Sequence, residues 1–588
     1  MSNPEPLPAS GEPKKQKPSR RNFVAAAAAA AGIPLQPILA PADSAAEASI
    51  VPFNGSTRMA ACFNYRMGMA RAERIFVPVQ PDNGDSQRFT DFSGNFTKTL
   101  KHDALGVPNK AAVQSLIYAF RTGDFSDFEN IQVGTPGGGP NSKLNGPQGA
   151  LAFDLEGMDS HATMIPAAPS VASAQTAAEA AELYWAALLR DVPFNEYTSN
   201  SLVAQAVADM NRLSFLQSAE NRQWPFPITP SNLFRGQIFA RDGNVQGPYL
   251  SQFLLQPAFL GALPMNQQYQ TLRSVATGGS DFMTSFDEFQ LVQNGGDSGR
   301  TVAYDPTPRF LSTGRRLAAY PRMDVLYEAY FIAGLVLGAI NAPPNPGNPY
   351  IASKTQKPFG TLGAPDIVGT LAEMATRALK AAWFHKWMKD LRLRPEEYGA
   401  LVHANLTKST PMPQAAAALH PDILNSAALP IIHSLHGSFL LPQTYPEGSP
   451  THPCYPTGHG TVAGACITAI KFFFDGTQKI RPLLNAAGRD VVMPSADGLA
   501  LEPYTDSDRD ILDINGELTK LAFNISFGHG IHAGIHFRSS TYWSIVLGEQ
   551  VALSVLQDRA KSYSEPFQIT ITKFDGTTAT ISNMGAVS

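Results

Sequence analysis

The sequence predicts a mainly α protein, a large helical-bundle domain with long loops and minor β-hairpins. Three observations point there. Apolar residues recur at helical spacing in long stretches between residues 174 and 557. Strand-like alternation is prominent only near the C-terminus, at 568–581. Between about residue 50 and residue 165, Gly, Pro, Asn and Asp are dense, which suits long loops wrapped around a helical body.

In chain order, residues 1–48 read as a targeting segment. Lys14, Lys15, Lys17, Arg20 and Arg21 precede an alanine-rich apolar run from Phe23 to Ile33, and small residues suited to cleavage follow from Ala40 to Ala48. The pair Arg20-Arg21 is similar to the twin-arginine signal of bacteria, which exports proteins already folded. The expected destination is the bacterial periplasm or the medium, and an unstructured basic tail is the plainer alternative. Residues 49–588 are expected to form a single helical domain, because no fixed-period repeat and no linker divides them.

Within that domain Lys110 to Ala119 is a short helix and Ala174 to Leu189 a longer one, ending before Pro193. Asp324 is placed to cap an apolar helix running to about Ile340. Ile367 to Leu391 comes next, stopped near Arg394-Pro395 because a residue before proline disfavours the helical region. That would set Lys386 and Arg394 at a helix C-terminus. A turn-rich stretch from Pro442 to Pro456 leads to a helix over Gly460 to Phe474, small on one side and carrying Ile467, Ile470 and Phe474 on the other. The last helix covers about Ser540 to Gln557. Gln568–Thr572, the turn Asp575-Gly576 and Thr578–Ile581 make a terminal hairpin.

Composition narrows the function. With 588 residues, 44% hydrophobic and 16% charged, the chain can bury a large core and is not globally disordered. A net charge of −4 gives no overall attraction to nucleic acid or anionic membrane, so any anion site must be local. No later run approaches the roughly 20 apolar residues that span a bilayer, so no membrane span is expected. The cysteines Cys62, Cys454 and Cys466 form no disulfide framework and no C-x-x-C pair, and a structural role for free thiols is expected.

Three clusters carry chemistry. In the first, Lys386 and Arg394 lie eight positions apart, a little over two helical turns, so both can lean to one side. Lysine offers a point charge and arginine a planar fork for two oxygens of a tetrahedral oxyanion, although a solvated basic face including Lys389 and Arg392 is the simpler reading. In the second, His452 precedes Thr457-Gly458-His459 at the start of a helix, where unpartnered amides and the helix dipole favour an anion and a histidine can act as acid or base. Thr457 as a mere cap and His452 as a loop residue remain alternatives. The third packs His529, His532 and His536 into eight residues, a density that suits metal ligation. Zinc would need further ligands that the neighbourhood lacks, so one histidine bound to the metal of an oxyanion is at least as economical.

Together, Lys386-x7-Arg394-Pro395, Pro456-Thr457-Gly458-His459 and Ala533-Gly534-Ile535-His536 resemble the motifs of vanadium-dependent haloperoxidases, especially the bromoperoxidase branch, which shares its pocket with a class of acid phosphatases. Phe92–Thr97, Phe153–His161, Ser280–Asp287 and Leu547–Gln550 also look like bromoperoxidase segments, so the resemblance spans most of the chain. It implies that His536 binds vanadium, that Lys386, Arg394, Thr457 and Gly458 hold vanadate oxygens, and that His459 is the acid-base residue. Thr457 stands where the family usually has serine. His452 matches the second histidine of bromoperoxidases and tilts the halide toward bromide.

The family's arginine falls at Gly530 and its later aspartate at Ser540, leaving His529, His532 or Arg538 to supply the donor, with His529 nearest in register. The activity implied is oxidation of halide by hydrogen peroxide to a hypohalite that halogenates an organic acceptor, with vanadate as Lewis acid and Lys386 polarising the peroxide. Homo-oligomers are common among the relatives, and some carry a structural calcium, for which no ligands can be named here. Two rivals stand beside it: an acid phosphatase with His536 as nucleophile, and an oxyanion-binding homologue impaired by loss of the arginine.

Overall fold

A computed structural model describes residues 55–72, 78–103, 106–239 and 245–584. The targeting segment expected at 1–48 lies outside the described residues. The chain divides into two compact units, Met1–Ala70 and Arg71–Ser588. In the first, the described residues belong to the helix Gly55–Ala72. The second unit holds all the candidate site residues.

Helices dominate it, as expected. Those that position the site are α1 (Ala174–Leu189), α2 (Gly314–Met323), α3 (Glu328–Ala339), α4 (Ala364–Phe384), α5 (Pro395–Thr407), α6 (Gly458–Phe473), α7 (Ile514–Phe527) and α8 (Arg538–Ala560). Strands form only two-stranded antiparallel pairs: β1 (Ala258–Leu260) with β2 (Leu263–Met265), β3 (Val492–Pro494) with β4 (Leu501–Pro503), and β5 (Gln568–Thr572) with β6 (Thr578–Ser582). The last is the expected hairpin. It pairs Ile569 with Ile581 and buries Ile569, Ile571 and Ile581 while the alternate threonines face outward.

The central helix is α6, buried along its whole length and mostly apolar or small, with its polar side chains such as His459 and Lys471 hydrogen-bonded. It packs on α8 and α4. Its contact with α8 runs through glycine: a Cβ on Gly464 would collide with the Ile545 carbonyl, and one on Gly548 with that of Thr461. Small residues at these positions let two backbones approach and bring the start of α6 against the start of α8. The loop-rich stretch after residue 78 builds a smaller core around the helix Lys110–Thr122, in which Phe96, Leu100, Leu116 and Phe128 close over Trp387. That fixes the segment holding Lys386 from outside.

Two boundaries differ from expectation. Asp324 does not cap α3, which begins at Glu328; it ends α2 in an extended conformation, with its carboxylate committed elsewhere. The α4 pattern does not run as one helix to Arg394 either. It turns π-helical over His385–Asp390 and stops at Leu391, whose φ of 41° is left-handed. Arg394 therefore sits at the N-terminal boundary of α5, not at a helix C-terminus, and its N–H donates to Glu397 at 2.6 Å.

Candidate functional site

The three clusters converge where α4, α6 and α8 meet. Two of the contributing segments are π-helical, His385–Asp390 and Gly528–His532. Such widened turns shift side-chain register away from the helical repeat and are frequent at functional sites.

Lys386 and Arg394 are both fully buried, so the reading of a solvated basic face is wrong for them. Lys386 Nζ donates to the carbonyls of Pro453 at 2.7 Å and Cys454 at 3.3 Å. Arg394 donates from Nε to the His452 carbonyl, from Nη2 to His452 Nδ1 and from Nη1 to His536 Nε2, each at 2.8 Å. Among the described residues, no carboxylate pairs with either cation. Burial, and then the neighbouring Arg394 charge, push Lys386 well below the usual lysine range, and burial also lowers Arg394. Buried charges of one sign without a counter-ion are costly, and an anion among them removes that cost.

Thr457 begins α6 without capping it. Its side chain makes no cap hydrogen bond, and its Oγ1 lies 3.5 Å from Thr541 Oγ1 on α8. The hydroxyl and the first amides of α6, from Gly458 onward, are the neutral donors of the site. His459 lies one residue further. Its Nε2 is 3.0 Å from Asp324 Oδ1, while Asp324 Oδ2 is buried without a hydrogen-bond partner. Sequence reasoning missed Asp324 in this position, and nothing local could have found it, since 135 positions separate the pair.

The histidine-rich segment splits by direction. His536 faces Arg394, and His529 places its ring 4.2 Å from that of His459 and 5.9 Å from that of His536, with a buried Nδ1 that has no partner. Burial and nearby positive charge hold both rings well below the ordinary histidine range, and His452 likewise. His452 packs on Trp383 at 4.9 Å.

His532 turns away to Tyr249, its Nε2 2.8 Å from the phenol oxygen. Arg538 also leaves the pocket: it is held by Glu182 and lies over Trp224 and Phe527. Of the three substitutes for the arginine replaced by Gly530, only His529 reaches the cluster. A Cβ at Gly530 would stand 3.1 Å from His536 Cβ, so that position abuts the base of the His536 side chain.

A test of stability against pH follows from the histidines outside the pocket. Burial depresses His532 from 6.5 to about 3 and His102 from 6.5 to about 4. The unfolded chain then binds more protons than the folded one between those values and 6.5. Their contribution is present above pH 6.5 and lost as pH falls through that window. The thermal midpoint should fall steadily from pH 7 to pH 4, and a midpoint constant over that range would contradict it.

The donor set fits a tetrahedral oxyanion: two buried cations, a hydroxyl, helix-start amides and an imidazole nitrogen at hydrogen-bond distance from the arginine. Among the described residues no group of three or more His, Cys, Asp or Glu forms a metal cluster, and the calcium expectation has no assigned ligands. No helix there is long and apolar enough to cross a membrane.

No protein-family model matches the chain. A vanadium-dependent bromoperoxidase of Corallina officinalis is 32% identical over 87% of this chain and 94% of its own length. One from Ascophyllum nodosum is 30% identical over 84% of this chain and 87% of that protein. The homohexameric structure of the second vanadate-dependent bromoperoxidase from Ascophyllum nodosum superposes with a TM-score of 0.81 at 27% identity, covering 94% of this chain and 95% of that one.

Proposed function

Because the chain belongs to the vanadium-dependent bromoperoxidase family, we propose that it oxidises bromide with hydrogen peroxide at the site of His536 and releases a hypohalite-type species that halogenates an organic acceptor. The observation that carries the assignment to this site is a pair of fully buried cations with no carboxylate paired to either: Arg394 bonds His536 directly, and Lys386 bonds the carbonyl of Cys454, whose sulfur lies against the same ring. The acid phosphatase reading is set aside, since relatives matched along nearly the whole chain are bromoperoxidases.

His536 Nε2 would ligate vanadium, and Lys386, Arg394, Thr457, Gly458 and His529 would hold the oxygens. When bound, vanadate supplies a Lewis acid that polarises hydrogen peroxide toward attack by halide. The residues prepare that chemistry. Lys386 and Arg394 bring positive charge into a water-poor volume, where it acts strongly on developing anionic charge. Thr457 and the helix start add neutral donors, and His529 adds a donor where the family has an arginine. An imidazole has fewer N–H groups than a guanidinium, so the hold on the anion is weaker there.

His459 is the proton carrier. The Asp324 carboxylate only accepts, so it fixes a proton on His459 Nε2 and leaves Nδ1 as the atom that exchanges one. Bromination of a dye substrate should require vanadate, peroxide and bromide together, while phosphate-ester hydrolysis stays at background. Absence of vanadate-dependent bromination would overturn the function. In the same assay His459→Ala should lower kcat on the order of a hundredfold. Asp324→Asn should lower it less, with vanadate binding nearly unchanged in both.

Homo-oligomeric assembly is part of the proposal, supported by the homohexameric relative. So is export of the folded protein to the periplasm or beyond, supported by Arg20-Arg21 and the apolar run after it.

A further inference from the structure

Cys454 is buried at the centre of this cluster, and the roles above do not use it. Its carbonyl accepts from Lys386, its N–H donates to the Arg392 carbonyl at 2.9 Å, and its Sγ lies 3.4 Å from His536 Nδ1 and 3.5 Å from Ser540 Oγ. The direction of the sulfur contact follows from the opposite side of the ring. A guanidinium can only donate, and Arg394 Nη1 is 2.8 Å from His536 Nε2, so Nε2 presents its lone pair. A neutral imidazole with a bare Nε2 carries its hydrogen on Nδ1. Among the described residues, the one hydrogen-bond partner within reach of Nδ1 is the sulfur.

We propose that Cys454 is a positioning residue whose sulfur accepts the His536 Nδ1–H, holding the ring in the tautomer that turns the Nε2 lone pair toward Arg394 and the anion. The inference rests on the proposed function, because it concerns the same ligand nitrogen. Ser540, which stands where the family has aspartate, is the sulfur's other neighbour. Its hydroxyl lies beside the sulfur and accepts Arg392 Nη1 at 3.3 Å, while the sulfur contacts the ring. Sulfur is a weaker acceptor than a carboxylate and leaves the ring less basic. The ring orientation is kept, with less electron density on the ligand.

The test uses the full chain labelled with ¹⁵N-histidine and free of vanadate, with the His536 signals identified by their loss in His536→Ala. Wild type should show Nδ1 protonated and Nε2 bare, and the opposite tautomer there overturns the proposal whatever the variants do. In Cys454→Ala the single-tautomer signature should be lost, and the Kd for orthovanadate by equilibrium dialysis should rise about tenfold. Cys454→Ser, which keeps an acceptor of similar size, should restore both. A Cys454→Ala protein with wild-type tautomer and wild-type Kd refutes the proposal. Should that variant fail to fold, the wild-type spectrum and Cys454→Ser still decide it. A wild-type chain that binds no orthovanadate instead overturns the proposed function, while the tautomer measurement continues to judge Cys454 separately.

Discussion

His536→Ala is expected to reduce vanadate-dependent bromination on the order of a thousandfold, about 4 kcal/mol of transition-state stabilisation. The fold should survive, because the side chain removed leaves two partners that can pair otherwise: Arg394 retains its bonds to His452, and Cys454 retains Ser540. Dye bromination measured with equilibrium dialysis of vanadate separates loss of chemistry from loss of the anion. Full activity in this variant would sink the site assignment. A protein that brominates weakly but still binds vanadate would show that the cations alone hold the anion and that the histidine tunes it.

Glu182→Ala should be the most destabilising single change close to the site. Glu182 on α1 and Arg538 at the start of α8 are both almost fully buried. The carboxylate accepts Arg538 Nε at 2.9 Å and Trp224 Nε1 at 3.1 Å. Burial pushes the Glu182 carboxyl up, and the Arg538 guanidinium pulls it back. Removing one partner leaves the other charge buried and unpaired, which costs about 3–5 kcal/mol. The thermal midpoint should drop sharply. Glu182→Gln, which can still accept from Trp224 and Arg538, should lose less. An unchanged midpoint in Glu182→Ala would show that water reaches Arg538 and that the pair is not the tie between α1 and α8.

Vanadate binding should suffer in the same variant, because Arg538 lies two residues after His536 and anchors the end of its loop. A paired Glu179–Arg392 contact at 2.8 Å performs the corresponding task one turn away, with Glu179 also receiving the Ser539 N–H at 2.9 Å. Carboxylates from α1 thus hold the start of α8 in place. They are structural charges, distinct from the cations left without a carboxylate in the pocket.

The sequence by itself determined the helical class, the span and ends of α1 and the terminal hairpin, because those rest on local periodicity and turn chemistry. It also determined which residues could hold an oxyanion. Lys386-x7-Arg394, Pro456-Thr457-Gly458-His459 and the histidine-rich segment each carry the right donors in a short stretch, and short stretches are readable. Only the tertiary structure decided how those donors are used. That the basic face is buried, that His529 enters the cluster while His532 and Arg538 leave it, and that Asp324 serves His459 are all outcomes of packing between distant segments. Periodicity reports which side of a helix is apolar. It does not report a π-helical turn that rotates Lys386 inward, a glycine contact that brings α6 against α8, or the choice of Arg538 to satisfy Glu182 first. Those follow from satisfying buried charges and hydrogen bonds across the whole fold, a condition no local window of sequence contains.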